Sequence, residues 1–334
     1  MKEAEDSNHA AKKVLVIDST VSNALETIPE QEELEGCAQV TGIHVTDETE
    51  IPLQLLEETD AVIIWHQVKL TSYAISRLNK CRAIVRNGVG YDNIDIDAAG
   101  QAGIRVANVT DYGTEEVADH ALALALAISR QIVPYNRQTG EGGWDWKIGE
   151  GKIRRLRGQV FGIIGLGRIG IAVAVRAKAF GFDVVFYDPY LPPGIEKSLG
   201  IRRARKQDEL LAQANVISLH CPLTEETENM LSKPQFDLMQ PGTVIVNTAR
   251  GGVIRLADLQ EAVRSGKVLG AGLDVVVGEP PKNPELFESE AILGTPHAAF
   301  YSVESFDECR RSAARIVRSL FEDNVLLNQV NQVK

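Results

Sequence analysis

The sequence predicts an α/β protein built from two doubly wound domains, each a parallel sheet with helices on both faces. Three observations predict it. Short apolar runs alternate with stretches of helical character along most of the chain, the pattern of parallel strands joined by crossover helices. The length of 334 residues exceeds what one hydrophobic core usually organises, so two domains are expected. Midway, the apolar run Val160-Phe161-Gly162-Ile163-Ile164 turns through Gly165-x-Gly167-x-x-Gly170 into the helical stretch Ile171–Phe180, a strand, tight turn and helix in succession.

In chain order, the polar segment Met1–Lys12 is expected to be a disordered tail. Val14-Leu15-Val16-Ile17 is the first strand, ending at Asp18, and further runs follow at Val62–Trp65, Ala83–Val85 and Ile104–Val106. Helices are expected at Leu53–Glu58 and Ser72–Leu78, completing a first α/β domain of ordinary size. Asn108–Gly113 reads as a hinge. Thr114-Glu115-Glu116 puts acids into the first turn of a helix expected to run to about Val133. Its alanine and leucine density predicts burial on most sides. The loop Gly140–Trp146 carries Trp144 and Trp146, which read as buried anchors, within the chain or against a second subunit.

After the glycine turn come the strands Val184–Tyr187, ending on Asp188, Asn215–Leu219, Thr243–Asn247, Leu269–Val275 and Ile292-Leu293. Ala257–Arg264 is a helix closed by Gly266. The helical stretch Ser305–Leu320 is expected to return to the first domain and make it discontinuous.

The glycine turn has a chemical meaning. Gly165 permits the tight turn, Gly167 lets a pyrophosphate approach the backbone, and Gly170 lets helix and strand pack closely. The helix N-terminus then offers unpaired N–H groups to phosphate. Asp188, 18 residues past Gly170, is placed to accept hydrogen bonds from adenosine ribose hydroxyls. Strand, turn, helix, second strand and terminal acid in this order specify dinucleotide binding.

Composition excludes other classes. A net charge of −11 argues against a nucleic-acid surface, and the basic run Lys152–Arg157 reads as a solvated entry segment. Cys37, Cys81, Cys221 and Cys309 form no metal-spaced pair and read as free thiols of a reducing compartment. No metal site is expected. No signal peptide is recognisable, and Ala121–Ile128 is too short to span a bilayer; a cytoplasmic protein without membrane contact is expected.

Strand ends of a parallel sheet are where ligands bind, and Arg250, Asp274 and His297 all fall past or near such ends. A nicotinamide enzyme acting on a 2-oxo or 2-hydroxy acid needs a cation to hold the substrate carboxylate, and a guanidinium does so with paired bonds. It needs an acid–base group titrating near neutrality, which histidine supplies. It needs a carboxylate to orient that histidine. Arg250, His297 and Glu279, in Gly278-Glu279-Pro280-Pro281, offer these three types downstream of the glycine turn. His9, His44, His66, His120 and His220 have no such companions in the sequence and read as structural or surface.

Several further motifs carry a resemblance over nearly the full length: Asn87-Gly88-Val89-Gly90-Tyr91-Asp92-Asn93-Ile94-Asp95, Glu116-Val117-Ala118-Asp119-His120, Gly165-Leu166-Gly167-Arg168-Ile169-Gly170, His220-Cys221-Pro222-Leu223-Thr224, Asn247-Thr248-Ala249-Arg250-Gly251-Gly252, Gly272-Leu273-Asp274-Val275 and Thr295-Pro296-His297. With these the chain resembles the D-isomer-specific 2-hydroxyacid dehydrogenases. The resemblance implies a Rossmann NAD-binding domain, residues 111–303, inserted in a flavodoxin-like substrate domain, residues 1–110 and 304–334. It implies NAD (NADH) as cofactor, Arg250, Glu279 and His297 as catalytic residues, and substrate binding by backbone N–H groups near Val89 and Gly90. It also implies cofactor contacts from Gly165, Gly167, Arg168, Ile169, Gly170, Asp188, Cys221, Pro222, Thr227, Thr248 and Ala249, with Asp274 near the nicotinamide amide. A homodimer through the NAD-binding domain is expected.

Within the family the chain is similar to the branch containing the C-terminal-binding protein corepressors. Arg176–Phe182, Phe186-Tyr187-Asp188-Pro189-Tyr190 and His297–Ser302 carry this likeness, and Arg86 matches a second substrate-facing arginine there. Two departures favour a metabolic dehydrogenase. Phe300 stands where the animal corepressors have tryptophan, and Gly143-Trp144-Asp145-Trp146 is similar to the dehydrogenases. The alternative from another class is an NAD-sensing corepressor or scaffold with little turnover.

Overall fold

The computed structural model describes residues 12–17, 27–282 and 284–333; the expected polar tail lies outside them, apart from Lys12. The chain divides into two compact units, Met1–Tyr112 with Ser302–Lys334, and Gly113–Tyr301.

The first unit holds a five-stranded parallel sheet of β1 (Lys12–Ile17), β2 (Ala38–Ile43), β3 (Ala61–Ile64), β4 (Ala83–Arg86) and β5 (Arg105–Asn108) in the order β2-β1-β3-β4-β5. This is the flavodoxin-like order. Every residue of β3 and β4 is buried. Strands covered by helices on both faces read as continuous apolar runs rather than alternating ones, which is why these were visible in the sequence. The long helix Val303–Asp323 packs on the short helix Ile28–Glu33 of the same unit. Arg310 forks onto the fully buried Glu30, with Nε donating to Oε1 at 2.8 Å and Nη2 to Oε2 at 2.7 Å.

The second unit holds seven parallel strands: β6 (Val160–Ile164), β7 (Asp183–Tyr187), β8 (Arg202–Arg203), β9 (Val216–Leu219), β10 (Thr243–Asn247), β11 (Val268–Leu273) and β12 (Ile292–Gly294). Their order is β12-β11-β10-β9-β6-β7-β8. Counted from β6 it is the Rossmann order, with one strand added after the sixth. The order reverses between β6 and β9, so the crevice that receives a dinucleotide opens at the carboxyl ends of these two strands.

The expected helix from Thr114 to about Val133 is two helices. Thr114–Ser129 ends in a turn at Gln131, whose φ is +54°, and Ile132–Gly140 follows. Gln131 holds this break with its own backbone and side-chain N–H groups, both donating to the Ile128 carbonyl. The apolar count continued through the break because Ile132 and Val133 are themselves apolar, yet both are exposed. Gly270 and Gly272 bring the first of these helices close to β11. A Cβ on Gly272 would sit 2.7 Å from Leu124 Cβ, and one on Gly270 2.8 Å from Ile128 Cγ2.

Trp144 and Trp146 are not buried by this chain. They are 91% and 68% exposed, which removes the reading as anchors within the chain. Their loop follows a helix that itself has no buried residue. All four cysteines are free.

Candidate active site

Five adjacent parallel strands of the second unit deliver the expected site residues to one edge of the sheet. β6 ends in the glycine turn, β9 in His220-Cys221-Pro222, β10 in Thr248-Ala249-Arg250, β11 in Asp274, and β12 in Thr295-Pro296-His297. The glycine turn is tightly built. Gly165 has φ +88°, a conformation open to glycine, and a Cβ there would meet the Cys221 backbone N at 2.7 Å. A Cβ on Gly170 would lie 2.2 Å from the Gly165 carbonyl oxygen. Gly167 is different: no atom lies within 4 Å of its added Cβ. It caps the helix Arg168–Ala179, whose first turn contains Arg168, Ile169 and Gly170.

Asp188 stands at the end of β7 and is tied to the turn, its Oδ2 accepting from Leu166 N at 2.9 Å and its Oδ1 from Tyr190 N at 3.0 Å. The segment after β9 is braced by Thr227, whose hydroxyl donates to the Pro222 carbonyl at 2.6 Å and accepts from Thr224 N at 2.8 Å. After β10, buried Asn247 ties the turn from both sides. Its Nδ2 donates to the Arg250 carbonyl at 2.9 Å and its Oδ1 accepts from Ala249 N at 3.0 Å. The Arg250 side chain, half-buried, donates from Nη1 to the Ala249 carbonyl at 2.7 Å.

His297 and Glu279 meet: Nδ1 and Oε2 are 2.7 Å apart, with side-chain exposures of 20% and 32%. Glu279 is held by Val276 N, which donates to Oε1 at 3.1 Å. An ionised carboxylate only accepts, so the hydrogen sits on Nδ1. His297 has φ +53°, an uncommon left-handed conformation for a residue with a Cβ. Asp274 secures it. The carbonyl of Asp274 accepts from His297 N at 2.8 Å, and its carboxylate accepts from Ala298 N at 2.8 Å and Ala299 N at 3.1 Å.

In the first unit, Arg86 closes β4 and is buried, its Nη1 donating to the Asn87 carbonyl at 2.7 Å. Val89 is exposed, and its carbonyl accepts from Asn108 Nδ2 at 2.6 Å; Gly90 is half-buried beside it.

The family model for the D-isomer specific 2-hydroxyacid dehydrogenase NAD-binding domain matches residues 122–299, more than half of the chain. The chain belongs to this family. Among curated relatives, it is 37% identical over 305 residues to a D-3-phosphoglycerate dehydrogenase of Methanocaldococcus jannaschii, covering 91% of this chain and 56% of that protein. It is 35% identical over 318 residues to the D-3-phosphoglycerate dehydrogenase of Mycobacterium leprae, covering 95% and 58%. The chain thus spans a little over half the length of these relatives. Among solved structures, the D-lactate dehydrogenase of Aquifex aeolicus, complexed with NAD and lactic acid, superposes with a TM-score of 0.85 at 29% identity over 96% of this chain and 100% of that one. A glyoxylate reductase of Paecilomyes thermophila gives 0.85 at 30% identity over 96% and 99%.

NAD(H) is the cofactor of this family's NAD-binding domain, and the residues present fit it. No protein atom lies within 4 Å of a Cβ added at Gly167, so the backbone there is open to the approach of a phosphate. The Thr248 hydroxyl is buried with no protein partner among the described residues, a group that a ligand can satisfy.

Two histidines belong to this part of the chain in different ways. His220 is structural: its Nε2 lies 2.8 Å from the Ser218 hydroxyl, and burial pushes the imidazole down to about 3. The unfolded chain takes up this proton near ~6.5. Stability from neutral His220 is therefore fully present above that value and is lost as pH falls toward about 3. His220→Asn is expected to reduce the drop in unfolding free energy between about pH 7 and about pH 5, by up to roughly 1.4 kcal/mol per pH unit. Urea titrations at the two pH values check this; equal drops in variant and wild type would contradict it. His120 departs from its sequence reading, because it does have companions. Its Nε2 lies 2.9 Å from Thr295 Oγ1 and 3.9 Å from Asp274 Oδ1. The signal was its place in Glu116–His120, one of the family-like motifs.

Proposed function

We propose that this protein is an NAD-dependent D-2-hydroxyacid dehydrogenase that reduces a 2-oxo acid to the D-2-hydroxy acid and catalyses the reverse reaction. The observation that carries this reading is the His297–Glu279 contact at 2.7 Å, beside the strand ends that bear Arg250 and the glycine turn. The cofactor, when bound, supplies the hydride that reaches C2 of the substrate. Protonated His297 delivers a proton from Nε2 to the carbonyl oxygen; neutral His297 takes it back in the oxidation. Glu279 fixes the hydrogen on Nδ1 and supports the imidazolium formed in oxidation. Arg250 pairs with the substrate carboxylate and polarises the carbonyl, and the turn tied by Asn247 sets the direction of its side chain. Arg86 and the backbone N–H groups of Val89 and Gly90 add substrate contacts. Asp274 lies near the nicotinamide amide.

Asp188 selects NADH. Its carboxylate repels a 2′-phosphate and accepts from the free ribose hydroxyl, a bond to a charged group worth about 1.5–3 kcal/mol. Asp188→Ala is expected to weaken NADH about ten- to a hundredfold while changing NADPH little. Fluorescence titrations with both cofactors check it, and equal losses would contradict it.

The exposed Trp144 and Trp146 support a homodimer through the NAD-binding unit, with these rings covered by the second copy; sedimentation equilibrium reads this out. Cytoplasmic location is part of the same reading, and no helix among the described residues is long and apolar enough to cross a membrane. The corepressor-like alternative is separated by NADH oxidation on a panel of 2-oxo acids that includes phosphorylated members. Turnover supports the dehydrogenase; its absence, with NAD-dependent capture of a partner, supports the alternative.

A further inference from the structure

His120 lies on the helix Thr114–Ser129, and nothing in the proposed chemistry uses it. The helix is nevertheless held unusually close to β11. Gly272 leaves no room for a side chain against Leu124, one turn beyond His120. That approach brings His120 Nε2 to 2.9 Å from the Thr295 hydroxyl, which is 2.6 Å from Asp274 Oδ1. Asp274 is only 1% exposed at its side chain, and it carries the turn that holds His297 at a φ of +53°.

The hydrogen count fixes the direction of this chain. A threonine hydroxyl has one hydrogen to give. The Asp274 carboxylate can only accept, so the hydrogen of Thr295 goes to Oδ1. Thr295 Oγ1 then receives from His120, whose Nε2 must carry the hydrogen.

We propose that His120 is a positioning residue for the acid–base histidine, acting as the Nε2–H tautomer through Thr295 and the Asp274 carboxylate. The series is His120 Nε2–H to Thr295 Oγ1 and Thr295 O–H to Asp274 Oδ1, with the Asp274 carboxylate also accepting from the backbone N–H groups of Ala298 and Ala299. Each donor satisfies an acceptor that is buried or partly buried, and a carboxylate short of donors re-aims toward others. That response loosens the turn that presents His297. The catalytic part of this inference rests on the reading of His297 as the acid–base group; the hydrogen-bond order does not.

Two experiments test it. The first reads the tautomer directly, from the nitrogen chemical shifts of protein labelled with ¹⁵N in histidine, assigned with His120→Gln. The neutral ring of His120 is expected as the Nε2–H tautomer. An Nδ1–H tautomer would reverse the donor order and overturn the proposal.

The second uses paired variants with one accepted 2-oxo acid and saturating NADH. Thr295→Val and His120→Leu are expected to lower kcat about tenfold each, the scale of a lost bond serving a charged group. Thr295→Ser and His120→Gln, which keep the hydroxyl and the N–H donor, are expected to stay within about threefold of wild type. The double variant Thr295→Val with His120→Leu is expected to be no worse than the weaker single variant, because both lesions break one chain. Full activity in the Val and Leu variants, losses that multiply, or conservative variants as impaired as the others would each overturn the proposal. His297→Ala serves as the control. If it kept turnover, the reading of His297 would fail, while the tautomer measurement would still decide the hydrogen-bond order.

Discussion

His297→Ala is expected to lower kcat on an accepted 2-oxo acid by about 10²–10⁴-fold, the usual scale for a general acid–base group, with NADH affinity close to wild type. In the proposed mechanism the proton assigned to His297 would then have to come from water, without the positioning that makes its transfer efficient. Glu279→Gln is expected to cost less, about ten- to a hundredfold. The amide can still meet Nδ1, now 2.7 Å from a carboxylate oxygen, but it no longer offsets the imidazolium charge and can present an N–H where an acceptor is needed. In a His297→Ala background, Glu279→Gln should cost almost nothing further, since the two act as one unit. Pre-steady-state rates with saturating NADH check all three. A His297→Ala enzyme at wild-type speed, or losses that multiply, would contradict the pair.

Arg310→Leu carries the largest expected effect on stability, a loss of about 3–5 kcal/mol. The reason is not the worth of the ion pair itself. Glu30 is fully buried and both of its oxygens are held by Arg310, so removing the guanidinium leaves a buried carboxylate without its partner. Replacing both residues by leucine removes the charge as well and is expected to recover most of the loss. Urea denaturation of the single and double variants checks this. A single variant losing under about 1 kcal/mol would show that the pair behaves as a surface contact.

How much of this was legible in the sequence follows from what buries a strand. β3, β4, β9 and β10 are buried along their whole length, and they appear in the sequence as Val-Ile-Leu runs without alternation. β2 escapes that criterion. Its residues Ala38–Ile43 include Gln39, Thr41 and Gly42 and are at most half-buried, because it is an edge strand with one neighbour. β8 is Arg202-Arg203, a short basic edge of the kind that discourages pairing with another chain. Apolar density could find neither. It also ran past Gln131, since a left-handed turn is set by a few backbone bonds and leaves no trace in apolar count.

The site was legible where chemistry restricts the residue type. The three glycines, the acid closing β7 and the trio Arg250, Glu279 and His297 stand out because few residue types can do the tasks proposed for them. Asn247 and the chain from His120 through Thr295 did not. Asn247 braces backbone groups only two and three residues on, a task its residue type alone does not announce, and His120 meets Thr295 across 175 residues, a contact no local spacing records. The tryptophans failed for another reason: a large apolar side chain in a loop predicts burial, but not by which surface.

The most direct test of the central claim follows one atom. NADH carrying deuterium at nicotinamide C4, on the face that is transferred, is incubated with the protein and an accepted 2-oxo acid, and the product is resolved into enantiomers. The expected product is the D-2-hydroxy acid with one deuterium at C2, formed at a rate that falls with His297→Ala. An L product, a product without deuterium at C2, or no NADH oxidation with any 2-oxo acid would contradict it.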